Sequence, residues 1–154
     1  MSARTEMSRF RPVVEENVNN LSFGNDFNKN SCKFLSNAQV AVMLEERKKS
    51  EGFSGSKTNK RHFEDMTNYL KRTQKIDQSY YGDSRAAERL QSVFVGTESS
   101  LHGLEDFEKA VLLNLCPSTV EEAKNLLISL VRFDNAALEE MLKELRLVLQ
   151  TLSE

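Results

Sequence analysis

Residues 107–130 read FEKAVLLNLCPSTVEEAKNLLISL: one amphipathic helix, a stop at Cys116-Pro117, and a second amphipathic helix with its own start signal. Proline favours an extended conformation in the residue before it, so the first helix is expected to end by Cys116. Ser118 or Thr119 can then accept a hydrogen bond from a backbone N–H of the second helix. Glu121 and Glu122 each lie three residues on, which completes S-x-x-E and T-x-x-E capping boxes. Leu104, Phe107, Val111 and Leu115 make the expected buried stripe of the first helix. Val120, Ala123, Leu126, Leu127 and Leu130 make that of the second. The segment is a helical hairpin with a chemically specified corner.

Helical spacing continues on both sides. Upstream, Phe63, Met66, Leu70 and Thr73 repeat on one face of a helix that ends before Tyr80-Tyr81-Gly82. Asp83 or Ser84 caps a further helix with Ala86, Leu90, Val93 and Phe94 inward, and 96–100 reads as a loop. Downstream, Asp134 or Asn135 caps a last helix carrying Leu138, Met141, Leu142, Leu145, Val148, Leu149 and Leu152. Its leucines recur seven apart, but over only about two heptads, and its apolar face is wide. That favours a core-facing helix over a coiled-coil seam. Five short helices over 61–154 make a helical bundle, and the fold class is all-α.

The first third of the chain reads differently. Residues 1–17 are polar, with Arg4, Arg9 and Arg11, and form a flexible N-terminus. In 18–27, Leu21 and Phe23 alternate ahead of Gly24-Asn25, as in a short strand with no obvious partner in this chain. Ser36-Asn37-Ala38-Gln39 is another capping box, opening a helix to about Lys49 with Val40, Met43, Leu44 and Arg47 on one side. Residues 18–49 thus form an arm and first helix, and the Gly- and Ser-rich 50–60 a flexible linker. Fully burying an apolar side chain of this kind is worth roughly 1.5–3 kcal/mol, so an arm with Leu21, Phe23, Phe27, Leu35, Met43 and Leu44 must find cover. Either it folds back on its own bundle, or another protein takes it by strand addition and helix-in-groove packing.

Composition removes several classes. With 154 residues and a net charge of −2, the chain can bury one core and has no global attraction to nucleic acid. No apolar run approaches the roughly 20 residues of a membrane span, and the start lacks a signal-peptide core, so an intracellular protein is expected. Cys32 and Cys116 are too few for a disulfide framework or a zinc site. His62 and His102 lie 40 residues apart and in no metal-ligand spacing. No catalytic, cofactor or metal constellation is expected, and the glutamate pairs suit caps and solvated helix faces. Residues 47–75 hold nine bases against three acids, whereas 98–154 hold eleven acids against five bases. A basic patch can hold phosphates without reading sequence, so a free-standing helical nucleic-acid-binding protein is an alternative.

The hairpin also resembles a family, the small subunit of the eukaryotic RNA polymerase II stalk, which has a counterpart in archaeal RNA polymerases. Phe107, Glu108, Ala110, Leu112, Asn114-Leu115-Cys116-Pro117, Thr119, Glu121-Glu122-Ala123-Lys124, Leu126, Ser129 and Leu130 match its phrase in order. Val13-Val14-Glu15-Glu16-Asn17 with 21–27 resembles the family's arm, and 35–40 with Leu44-Glu45-Glu46-Arg47 its first helix. The family's aromatic stretch after Tyr69 is absent, and Ile128 stands where it has proline. The resemblance implies an HRDC-like bundle and a non-catalytic polymerase subunit in the nucleus. It implies a heterodimer with the larger stalk subunit, which carries an oligonucleotide-binding barrel, so that RNA contact by this chain is weak. Leu21, Phe23 and Phe27 would lengthen a sheet of that partner. Val40, Met43 and Leu44 would enter a groove between its domains, with Leu35 and Arg47 in the same docking set. The body would project from the polymerase core as a platform for initiation and RNA-processing factors. The polymerase III stalk subunit is the related alternative.

Overall fold

In the computed structural model, residues 15–24, 27, 32–50, 57–96 and 100–153 are described. Ser36 starts the first helix, α1 (Asn37–Lys49), by the expected box: its Oγ accepts from the Gln39 N–H at 3.4 Å, and its own N–H donates to Gln39 Oε1 at 2.9 Å. Helix α2 (Lys57–Thr73) begins inside the stretch read as linker, whose residues 51–56 lie outside those described. Lysine, threonine and asparagine at 57–59 continue a helix readily enough once the downstream apolar face is docked. Of that face Leu70 is buried, Phe63 and Thr73 are half-buried, and Met66 is exposed.

The chain then turns through the 3-10 segment Gln78–Tyr80 into α3 (Ser84–Gly96). Gly82 sits at φ +72°, and a Cβ there would meet Glu45 Cγ at 2.5 Å, so the turn lies close under α1. Asp83 is the residue that caps α3, accepting from the Arg85 N–H at 2.8 Å. Ala86, Leu90, Val93 and Phe94 point inward as expected.

Helices α4 (Asp106–Leu115) and α5 (Val120–Leu126) form the hairpin, followed by the 3-10 segment Ile128–Arg132 and by α6 (Asn135–Thr151). Cys116 does end α4, but in the left-handed region (φ 49°, ψ 60°) rather than extended, its N–H closing onto Leu112 O at 2.8 Å. A final-turn hydrogen bond offsets the cost of that conformation, about 1–2 kcal/mol. Thr119 is the cap of α5, accepting from the Glu122 N–H, and Glu122 Oε2 accepts from the Ser118 N–H.

One expected stripe is rotated, and the other loses a single member. On α4 the fully inward residues are Glu108, Ala110, Leu112 and Leu113; Phe107 and Val111 are half-buried and Leu115 is exposed. The helix is apolar almost all round, so the 107–111–115 row can serve a second, outer contact. On α5, Leu126 is exposed because the helix stops there and the 3-10 segment redirects Leu127 and Leu130 inward.

Helix α6 is the central element. Leu138, Met141, Leu142, Leu145 and Leu152 are buried within one cluster with residues of α3, α4 and α5, so its leucines serve the core. The Asp77 N–H donates to Leu152 O at 2.9 Å and fastens the α2–α3 connection to the end of α6. Among the described residues there is no strand, and the fold is all-α. The stretch read as a strand around Leu21 is instead a tight turn. Val18–Asn20 is a 3-10 turn, Leu21 is left-handed at φ 54°, and Asn17 and Ser22 exchange both backbone bonds. Asn17 Oδ1 accepts from the Asn19 N–H, and this local side-chain bond competes with extension.

Candidate partner-docking surface

Helix α1 meets the body through its small residues. Ala41 is buried, Ala38 packs against the core, and Glu45 lies over Gly82. At roughly 100° per residue, Met43 and Arg47 then fall on the far side of the helix. Met43 is 55% exposed and Arg47 is exposed, while Val40, Val42 and Leu44 are half-buried. The expected docking stripe therefore faces away from the bundle, because alanines have taken the inner face.

Leu35 (40% exposed), Val42 and Met43 join Ala87 and Val95 (67% exposed) along a groove of about 450 Å³ between α1 and α3. Gln39, Ser84, Glu88, Gln91 and Ser92 complete its lining. Apolar side chains within a polar surround are the composition of a protein-contact surface. The family resemblance implied Leu35 and Met43 in the docking set; the contribution of Val95 from α3 to this groove was not anticipated. Its neighbours Val93 and Phe94 are core residues, and three consecutive apolar residues do not reveal which one points out.

The arm residues gather elsewhere. Phe23, Phe27 and Phe34 form an aromatic cluster, with ring centroids 4.7–5.2 Å apart, and Phe23 and Phe34 each lie 5.1 Å from Phe107 of α4. The turn Val18–Asn20 packs against the 3-10 segment Ile128–Arg132. The arm thus lies across its own body, and Leu21, Phe23 and Phe27 are half-buried rather than wet. Leu21, Phe23 and Phe27 are not brought to the α1–α3 groove.

Beneath Phe107 lies a fully buried carboxylate that spacing did not single out. Glu108 Oε1 accepts from Ser129 Oγ and Arg132 Nη1, and Oε2 accepts from Arg132 Nη2, each at 2.6 Å; the Glu105 N–H donates to Oε2 at 2.9 Å. Arg132 also donates to Ser129 O and Gly103 O, and stacks on the Phe133 ring at 4.2 Å. Burial pushes the Glu108 carboxyl up. The hydrogen bonds from Arg132, Ser129 and the Glu105 amide, with the Arg132 charge, outweigh it and hold the pKa below the ordinary carboxylate value. The network fixes α4, and so the platform under the arm.

The remaining chemistry is structural. Burial pushes the Cys116 thiol up to about 11, and its Sγ donates to Leu113 O. A protonated, buried thiol is a poor nucleophile. No group of three potential metal ligands occurs among the described residues, and none of their helices is long and apolar enough to cross a membrane.

The chain matches known proteins over most of its length. Residues 34–149 match the family model described as RNA polymerase Rpb4. The chain is 35% identical over 141 residues to DNA-directed RNA polymerase II subunit 4 of Arabidopsis thaliana, covering 87% of this chain and 94% of that protein. It is 35% identical over 137 residues to DNA-directed RNA polymerase II subunit rpb4 of Dictyostelium discoideum, covering 85% and 87%.

Proposed function

Because the chain belongs to the RNA polymerase Rpb4 family and so is a subunit of RNA polymerase II, we propose that it is a non-catalytic one, paired in the enzyme's stalk with the larger stalk subunit. The observation that carries this reading is the two-sided first helix: alanines seat α1 on the body, and Leu35, Val42 and Met43 are left along an open apolar groove. Such a surface suits a protein partner better than solvent.

The partner takes Val40, Met43, Leu44 and Arg47 from the first helix, with Leu35 from just before it. Leu21, Phe23 and Phe27 leave the body to extend its sheet. The helical body projects as a platform on which initiation and RNA-processing factors dock, RNA contact falling mainly to the partner and the site of action being the nucleus.

Met43→Asp puts a charge into the groove without touching the core. With co-purification of RNA polymerase II as the readout, the expected outcome is loss of the polymerase subunits while circular dichroism keeps the helical signal. Undiminished recovery of the polymerase would place the interface elsewhere on the chain.

A further inference from the structure

A second open surface lies between α2 and α4, beside the N-terminal end of α1, and we propose that it docks a short carboxylate-rich peptide segment of another protein, seated by one large apolar side chain. A cleft of about 540 Å³ runs between the end of α2 and α4, and its walls include Tyr69, Arg72, Lys75, Val111, Asn114 and Leu115. Tyr69 is 52% and Leu115 47% exposed, so an apolar floor is open to an incoming side chain. Both come from rows that helical spacing had assigned to the core or left unused.

Charge names the occupant. Residues 57–75 hold six bases and two acids in a chain of net charge −2. Arg72 and Lys75 are exposed at the cleft, and among the described residues neither has an ion-pair partner. Lys71 is already engaged, lying 4.9 Å from the Tyr81 ring. Asn114 Oδ1 accepts from the Asn37 N–H at 2.7 Å, which leaves the Nδ2 donors of Asn114 for a carbonyl or carboxylate. Two cations, an amide donor and an apolar floor match an acidic peptide with an apolar anchor.

A single-stranded nucleic acid fits less well, since such sites combine a continuous basic track with several stacking rings. Among the described residues, Tyr69 is the one aromatic ring lining this cleft. The chain's own residues 1–14 are unsuited by charge, with Arg4, Arg9 and Arg11 against Glu6. Although Asn37 of α1 lines it, the cleft shares no lining residue with the α1–α3 groove, so the proposal concerns a separate surface; it rests on the reading of the body as a docking platform and names a ligand class for it.

The test uses the full-length chain and a fluorescein-labelled synthetic peptide of Asp and Glu residues around a central Leu-Phe pair, read by anisotropy. Saturable, salt-weakened binding is expected, falling at least about tenfold in the Arg72→Glu/Lys75→Glu variant and by about as much in Tyr69→Ala, with helicity unchanged. The same affinity is expected for the chain within purified polymerase. The proposal is overturned by an absence of saturation, by equal affinity after charge reversal, or by oligouridine displacing the peptide at lower concentration than unlabelled peptide does. Loss of binding in the assembled polymerase also overturns it, because the cleft is then part of the assembly interface.

Discussion

Glu108 shows how one residue can hold two others in place. Its carboxylate is fully buried, yet each oxygen has at least two donors, so the desolvation cost is met by Arg132, Ser129 and the Glu105 amide. Glu108→Gln removes the charge and leaves the Arg132 guanidinium without its carboxylate. Because Arg132 is partly exposed, the expected loss is about 2 kcal/mol rather than the 3–5 kcal/mol of a wholly buried pair. The acid limb supplies a second readout. A carboxyl with a lowered folded-state pKa contributes its full stability above the unfolded value, near 4.5, and loses it as pH falls through the lower folded value. Wild-type denaturation midpoints should therefore drop more steeply than those of Glu108→Gln below about pH 4.5. Parallel acid limbs would mean that the pair is not stabilising the fold.

Among the elements, the corner between α4 and α5 carries the most information per residue. Thr119→Ala removes the side-chain acceptor of the Glu122 N–H, and α5 has only seven residues over which to absorb the loss. The expected cost is about 1 kcal/mol in urea denaturation, with m unchanged; Thr119→Ser should restore most of it. This corner, the Ser36 box and the core face of α6 were legible in the sequence because each rests on local chemistry or on one strong period. The rotation of α4 was not. Phe107, Val111 and Leu115 keep good helical spacing, but so do Glu108, Leu112 and Leu115, and a buried glutamate is invisible until its arginine, 24 residues on, is folded against it. The open apolar faces were half legible: the spacing on α1 marked Met43 and Arg47 as outward, while Val95 and the cleft at Tyr69 depend on how helices cross. The turn at Leu21 was missed because Asn17 and Asn19 bond locally, which a two-residue alternation does not register.

At the scale of the whole molecule, the proposed stalk pairing gives the arm two competing places to be. In the isolated chain its phenylalanines lie on Phe107, whereas extending a partner's sheet requires Phe23 and Phe27 to leave. Any contact present only in the free subunit is subtracted from the affinity of assembly. An aromatic pair of this geometry is worth about 0.5–1.5 kcal/mol beyond its buried area. Phe107→Ala should therefore release the parked arm and tighten heterodimer formation by about two- to tenfold, read as the Kd of the purified larger stalk subunit, while the body also loses some stability because Phe107 packs against the core. The inner face of α4 keeps Leu112 and Leu113 in the core, so the body should still melt in one cooperative transition, at a lower temperature. If the variant instead weakens the heterodimer, the arm stays on Phe107 in the complex. The partner then binds arm and body as one preformed surface, and the proposed sheet extension by Leu21, Phe23 and Phe27 fails with it.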